Sequence, residues 1–194
     1  MKKTLLIACS SSLFILGTAN ATDVGIGASI NTTEETSSYS ISVPIRTSAL
    51  LIEPDISFWS QESDSTNNIT GAETGMNYSY TGIGVGLFAR IPLTGAMDAY
   101  AGGRLGYFNI QSDYDYGVAG TLTRETSGYS VGPAVGLGYA VNDSFSVSVQ
   151  TGLYFNSGTD DEESVSTTGV VTSSTSDNIE NTSTISQIYL RMFF

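Results

Sequence analysis

From Asp23 onward, apolar and polar side chains alternate in stretches of about 8–14 residues. Val24, Ile26, Ala28 and Ile30 share one parity, and Asp23, Gly25, Gly27 and Ser29 the other. Tyr39, Ile41, Val43 and Ile45 face away from Ser38, Ser40 and Ser42. In Leu50–Trp59, Leu50, Ile52, Pro54, Ile56 and Phe58 oppose Leu51, Glu53, Asp55 and Ser57. In Tyr78–Ile91, Ile83, Val85, Leu87, Ala89 and Ile91 oppose Gly82, Gly84, Gly86, Phe88 and Arg90. Ala99, Ala101, Leu105 and Tyr107 then oppose Tyr100, Gly102, Arg104 and Gly106. Tyr129 to Tyr139 and Phe145 to Phe155 repeat the pattern, and Ile188, Leu190, Met192 and Phe194 close the chain against Gln187, Tyr189 and Arg191. A period of two predicts strands with one apolar and one polar face, eight of them.

The character of the polar face decides which side is outside. A soluble sandwich carries long charged side chains there; here it carries Gly and Ser, with no lysine after Lys3. Small residues suit the inside of a narrow closed barrel, and the apolar face then looks outward, into lipid. Connector lengths agree. Arg46–Ser48, Pro92–Gly95 and Asn142–Asp143 are short; Asn31–Ser37, Gln61–Asn77, Gln111–Ser127 and Asn156–Thr182 are longer, and the two classes alternate. Transmembrane barrels have short periplasmic turns and longer outside loops. Aromatics cluster at segment ends, with Phe58, Tyr107, Tyr129 and Phe155 near the long loops and Tyr139, Phe145 and Phe194 near the short ones, as two interfacial girdles would. Tyr78 and Tyr80 break the parity and predict a bulge or a loop there. The expected fold is all-β: an eight-stranded antiparallel up-and-down transmembrane barrel.

The N-terminus reads as a secretory signal. Lys2 and Lys3 precede a short apolar run, and Ala19-Asn20-Ala21 is an A-x-A cleavage pattern. Residues 1–21 are therefore expected to be removed, leaving a barrel domain over residues 22–194. Cys9 would leave with them, and the mature chain would hold no thiol. Leu6-Ile7-Ala8-Cys9 also fits a lipoprotein box, but the apolar run before Cys9 is short and most of it follows the cysteine.

The last segment must pair with the first, because an open edge in lipid leaves backbone groups without partners. The alternating Ile188, Leu190, Met192 and Phe194, together with the eight-segment pattern over the whole mature chain, resemble the small bacterial outer-membrane barrels of the OmpA/OmpX type. The resemblance implies outer-membrane location and the lipid and lipopolysaccharide of that membrane as surroundings. It also implies a monomer, and a C-terminal signal read by the outer-membrane insertion machinery at those four residues.

Charge sharpens this picture. Removing the signal leaves five arginines against 19 carboxylates, so no basic stripe exists to track nucleic-acid phosphates. With the parity above, Asp23, Glu53 and Asp55 point inward, and so do Arg90, Arg104 and Arg191. Unpaired buried charge is expensive, so these six are expected to form an ion network plugging the lumen, with Gln150 and Tyr154 hydrogen-bonding nearby. Most other carboxylates fall in the long connectors, including Asp160-Asp161-Glu162-Glu163, and read as a solvated acidic surface. The run lacks the spacing of a calcium loop.

Histidine is absent, which removes Ser-His-Asp catalysis and the usual zinc ligands. Glu53 and Asp55 are the one carboxylate couple in a defined place, and nearby arginines would keep both ionised rather than split their roles. Gly84-Val85-Gly86-Leu87-Phe88-Ala89 fits a dinucleotide fingerprint only formally, since it lies within a strand. No cofactor, metal or enzymatic activity is expected. Three functions remain: a non-enzymatic outer-membrane barrel whose acidic loops meet a surface ligand or support the envelope, a small gated channel, and a soluble lipocalin-like binder.

Overall fold

The computed structural model describes residues 23–32, 37–66, 73–117 and 120–194; the expected signal and Cys9 lie outside them. Among the described residues nine strands form one antiparallel sheet: β1 (Asp23–Thr32), β2 (Ser37–Ser42), β3 (Ile45–Arg46), β4 (Leu50–Thr66), β5 (Glu73–Pro92), β6 (Met97–Asp115), β7 (Thr121–Ala140), β8 (Phe145–Val165) and β9 (Val171–Phe193). The sheet returns on itself: β1 pairs with β9 from Gly25 opposite Phe193 to Asn31 opposite Gln187. Each edge strand thus satisfies the other's backbone, which a barrel in lipid requires.

The uninterrupted second segment, Ser38–Ile45, needs correction. It is split at Val43-Pro44, because proline has no N–H for the ladder. β2 and β3 nevertheless act as one stave between β1 and β4. Val43 N donates to Pro54 O at 3.0 Å, and Pro44 O accepts from Gly25 N at 2.9 Å. The barrel therefore has eight staves.

Orientation follows the parity. Ile26, Leu87, Val135, Val149 and Ile188 look outward, each at least half exposed, while Ser29, Ser42, Ser148, Phe88 and Tyr189 are buried inside. In water, each such outward side chain would forfeit on the order of 1 kcal/mol of burial; in acyl chains it forfeits nothing. On β5 the apolar band runs from Ile83 to Ile91, close to the 9–11 residues a tilted strand needs to cross. The predicted girdle residues Phe58, Tyr107, Tyr129, Phe155 and Tyr139 all point outward. A soluble barrel would require the reverse arrangement, so the lipocalin-like reading falls.

The long connectors are the second correction. Gln61–Asn77, Gln111–Ser127 and Asn156–Thr182 are largely strand, not loop. The β4–β5 ladder reaches Thr66 opposite Glu73, β6–β7 reaches Asp115 opposite Thr121, and β8–β9 reaches Val165 opposite Val171. Above the apolar band both faces of the sheet meet water, so the alternation that marks a strand in sequence fades while the hydrogen-bond ladder continues. Tyr78 and Tyr80 need no bulge. The β4–β5 and β5–β6 registers run through both without interruption, and Tyr80 points inward with Gly82 and Gly84. β1 and β2 are the short staves, so Val171–Ser186 of β9 and Trp59–Thr66 of β4 each lack a ladder on that side among the described residues.

At the opposite end the turns are tight. Asn142 Oδ1 accepts from Ser144 N and Phe145 N at 2.9 and 2.8 Å, the aspartate-type turn that Asn-Asp sequences favour. Gly95 turns β5 into β6 at φ +72°, a conformation that is costly for any residue with a Cβ.

Candidate functional site in the barrel lumen

Every inward strand position projects into one narrow space, so the lumen gathers residues distant in sequence. At mid-height Glu53, fully buried, takes three partners. Arg191 Nε donates to Oε1 at 2.6 Å and Nη2 to Oε2 at 3.1 Å; Arg104 Nη2 donates to Oε2 at 2.5 Å; Ser42 Oγ donates to Oε1 at 3.3 Å. Arg104 also bridges to Asp55, and Arg191 Nη1 donates to Ser148 Oγ. Two carboxylates thus neutralise two guanidiniums inside the low-dielectric part of the barrel, which offsets the desolvation each would suffer alone.

Rings seal the space the ions leave. Tyr189 lies under Arg191, whose Cζ is 4.4 Å from the ring centroid, and beside Arg104 at 5.4 Å. Phe88 and Tyr100 meet edge to face at 5.4 Å and pack with Leu51 and Ala134. The inward glycines make room for these rings: a Cβ on Gly136 would lie 2.2 Å from the Tyr100 ring, and one on Gly86 2.4 Å from Phe88. A glycine-lined wall is here the complement of an aromatic plug.

Of the six residues expected to form one network, the structure brings together Glu53, Asp55, Arg104 and Arg191. Asp23 and Arg90 stand apart, and this is a correction. Asp23 binds Arg46 at 2.8 Å, a residue the sequence reading left in a turn. Arg90 binds Asp98 at 2.8 Å and donates to Thr47 O at 2.6 Å, tying one short turn to another. Both pairs sit near the short-turn end, where Phe193 closes the lumen beneath Arg46 at 3.9 Å from ring centroid to Cζ. The residues missed were Arg46 and Asp98, just past the assumed strand ends, and the inward aromatics Phe88, Tyr100 and Tyr189. The sequence did carry one signal for the last group: large rings on a glycine parity.

Gln150 and Tyr154 are buried inside as expected, but neither amide atom of Gln150 makes a hydrogen bond of good geometry among the described residues. Tyr189 OH donates to Gln187 Oε1 instead, at 2.5 Å. Ile188, Leu190, Met192 and Phe194 all point outward, Phe194 the most exposed at 74%, while Phe194 N donates to Val24 O at 3.0 Å.

The plug divides the lumen. Below it, towards the short turns, lies a cavity of about 230 Å³ bordered by Arg46, Arg90 and Arg191. Above it is a small chamber of about 90 Å³ over Asp55 and Arg104, and above that a vestibule of about 450 Å³. In the vestibule wall, Arg124 forks onto Asp160 at 2.8 and 2.5 Å, and Thr126 Oγ1 donates to the same carboxylate at 2.6 Å. The Arg124 guanidinium holds the Asp160 carboxyl below its ordinary range. Among the described residues no group of acids or thiols is placed to hold a metal ion.

No protein-family model and no curated protein sequence matches the chain. Solved structures do. A major outer membrane protein of Thermus thermophilus superposes with a TM-score of 0.67 over 90% of this chain and 100% of its own, at 10% identity. Neisserial surface protein A gives 0.47 at 16% identity over 89% and 96%. The attachment invasion locus protein of Yersinia pestis gives 0.42 at 11% over 89% and 95%. The first alignment covers all of that chain and nine-tenths of this one, so the two share a fold. By fold, then, the chain is a small antiparallel β-barrel like that of the Thermus outer membrane protein.

Proposed function

We propose that the protein is a non-enzymatic, monomeric resident of the bacterial outer membrane that presents its long β-hairpins outside the cell and conducts nothing through its lumen. The observation that carries this reading is the mid-height plug: Glu53 held by Arg104 and Arg191, with Phe88, Tyr100 and Tyr189 filling the remaining section. An eight-stranded barrel is just wide enough for side chains to fill, and here they do. The hairpins above the band carry acidic outward faces, with Glu62, Asp113, Glu125, Asp161 and Glu163 on neighbouring strands, and these are the surface that meets lipopolysaccharide or an external ligand. Ile188, Leu190, Met192 and Phe194 serve as the address read by the insertion machinery. Glu53 and Asp55 are each clamped by arginine, which leaves neither free to act as acid or base.

The test is fractionation with heat-modifiable gel migration, followed by planar-bilayer recording. Folded protein in the outer-membrane fraction with no conductance above the lipid baseline is expected. Recovery from the soluble periplasm would end the proposal. A second reading, a gated channel, draws on the cavities on either side of the plug. Steps of conductance that change with Arg104→Ala would favour it.

A further inference from the structure

Above the plug, the inward face changes character. The same parity that carries glycine, serine and paired charge at mid-height carries Tyr78, Tyr80, Phe108, Ile110, Ile179 and Ile185 in the vestibule. Of these six, Phe108 is buried and the other five are part exposed, so most of this apolar surface lines a space rather than packs a core. The vestibule and the small chamber beneath it adjoin, sharing Tyr80, Phe108, Ser130 and Ile185. Together they form a blind cup, closed below by the Asp55–Arg104 pair.

The floor of that cup has unmet hydrogen-bonding capacity of both signs. Asn31 Oδ1 is a buried acceptor and Arg104 Nε a buried donor, neither with a partner among the described residues, and both residues border the lower chamber. Buried polar groups left unpaired cost stability and call for an occupant that completes them. A group that both donates and accepts, a hydroxyl, satisfies the two together. Charge argues against an anion. Arg124, the only arginine of the upper wall, is already taken by Asp160, and Glu162 lies on the same inner face.

We propose that the extracellular half of the lumen is a binding cup for a small neutral amphiphile: a hydroxyl group seated on Asn31 and Arg104, and an aromatic or short aliphatic body against Tyr80, Phe108, Ile110 and Ile185. A cavity of about 450 Å³ lies within the usual range for ligand sites, about 300–1,000 Å³. The vestibule is built from the outer parts of β5 to β9, and the floor, with Asn31 of β1 and Asp55 of β4, is where the cup meets the plug. The proposal rests on the barrel placement above.

The protein contains one tryptophan, Trp59, stacked edge to face on Tyr78 of the cup wall at 4.7 Å, and its fluorescence is the reporter. Folded protein in lipid nanodiscs is titrated with 4-ethylphenol, ethylbenzene and 4-ethylbenzoate, with empty nanodiscs correcting for partition. A saturable change with 4-ethylphenol is expected, at least ten-fold weaker with the other two. Asn31→Ala should weaken 4-ethylphenol binding at least five-fold, and Ser130→Phe, which fills the junction of the two chambers, should abolish it. Should Ser130→Phe fail to fold, Asn31→Ala decides alone. A linear response, an unchanged response in the variants, or equal binding of ethylbenzene or 4-ethylbenzoate overturns the proposal. Heat-modifiable migration of the same samples reads the barrel itself, so a failed titration leaves the membrane placement standing.

Discussion

Arg191 and Glu53 lie 138 residues apart in the chain and meet at the centre of the lumen, Nε to Oε1 at 2.6 Å. One sits on the strand that closes the barrel, the other on the fourth strand, so their bond spans the section of the lumen rather than joining neighbours. It forms only when the sheet has closed, and it connects closure to plugging.

Cutting one partner should therefore cost more than removing both. Glu53→Ala leaves Arg191 without a counter-charge and Arg104 with Asp55 alone, a change expected to destabilise by roughly 3–5 kcal/mol. The pair Glu53→Ala with Arg191→Met should recover part of that loss, because the second change removes a stranded charge and keeps apolar volume. Urea unfolding in lipid vesicles, followed by gel migration, measures both. Losses of Glu53→Ala and Arg191→Met that simply add in the double variant would show that the ion pair is not coupled.

The glycine wall makes a separate prediction. Gly136→Val places carbon where the Tyr100 ring now lies, 2.2 Å from an ideal Cβ. Tyr100 cannot retreat, since Phe88 and Leu51 pack with it. Destabilisation of about 1–3 kcal/mol is expected from overpacking, and Gly136→Val with Tyr100→Ala should return most of it. A neutral Gly136→Val would mean that the plug is loosely packed.

These two variants also show what was legible in the sequence. Strand parity, inward glycines and the Glu53, Asp55, Arg104 and Arg191 positions could be read directly, because within the bilayer one face must be apolar and the other confined. Arg90 and Asp23 could not be assigned partners. Parity fixes the face a residue looks to but not the stagger between strands, and the partners Asp98 and Arg46 sit just past the visible apolar band. The break at Pro44 was visible as a proline, yet the flanking alternation concealed it. The strand extensions escaped for a different reason. With water on both faces, Thr121–Gly128 or Ser173–Asn181 has no apolar side to betray its period.

The C-terminal pattern separates assembly from stability. Phe194 is three-quarters exposed and holds the barrel by one backbone bond to Val24, so Phe194→Ser should leave the unfolding midpoint of protein refolded in vitro nearly unchanged. In cells the same variant should accumulate several-fold less in the outer membrane, measured by heat-modifiable migration of membrane fractions. Equal losses in both settings would make the ring a structural element rather than an address.

Acid should loosen the upper wall. Asp160 is held ionised by Arg124 and Thr126, so its folded pKa lies below the unfolded value of about 3.9. A depressed carboxyl contributes stability that is present above the unfolded value and is lost as pH falls through the folded one. Amide exchange at Thr126 and Asp160, corrected for intrinsic rates, should be steady from pH 7 to about 4.5 and accelerate below about 4. Asp160→Asn should flatten that dependence. An unchanged profile in the variant would assign the transition to another carboxylate.

Surface proteolysis tests the extended hairpins against the loops that composition alone suggested. If Asn156–Thr182 were irregular, proteinase K on intact cells would cut throughout it, since it is polar and exposed. As paired strand, it should be cut at the Ser166–Val170 turn, where the ladder ends and Ser166 O accepts from Gly169 N at 2.8 Å, while Asn156–Ser164 stays protected. The Asn142 turn, at the other end of the barrel, should be reached only after the membrane is opened. Mass mapping of released peptides reads both. Cuts at Asn142 in intact cells would invert the orientation, and scattered cuts between Asn156 and Ser164 would show that the ladder beyond the apolar band does not persist in the living envelope.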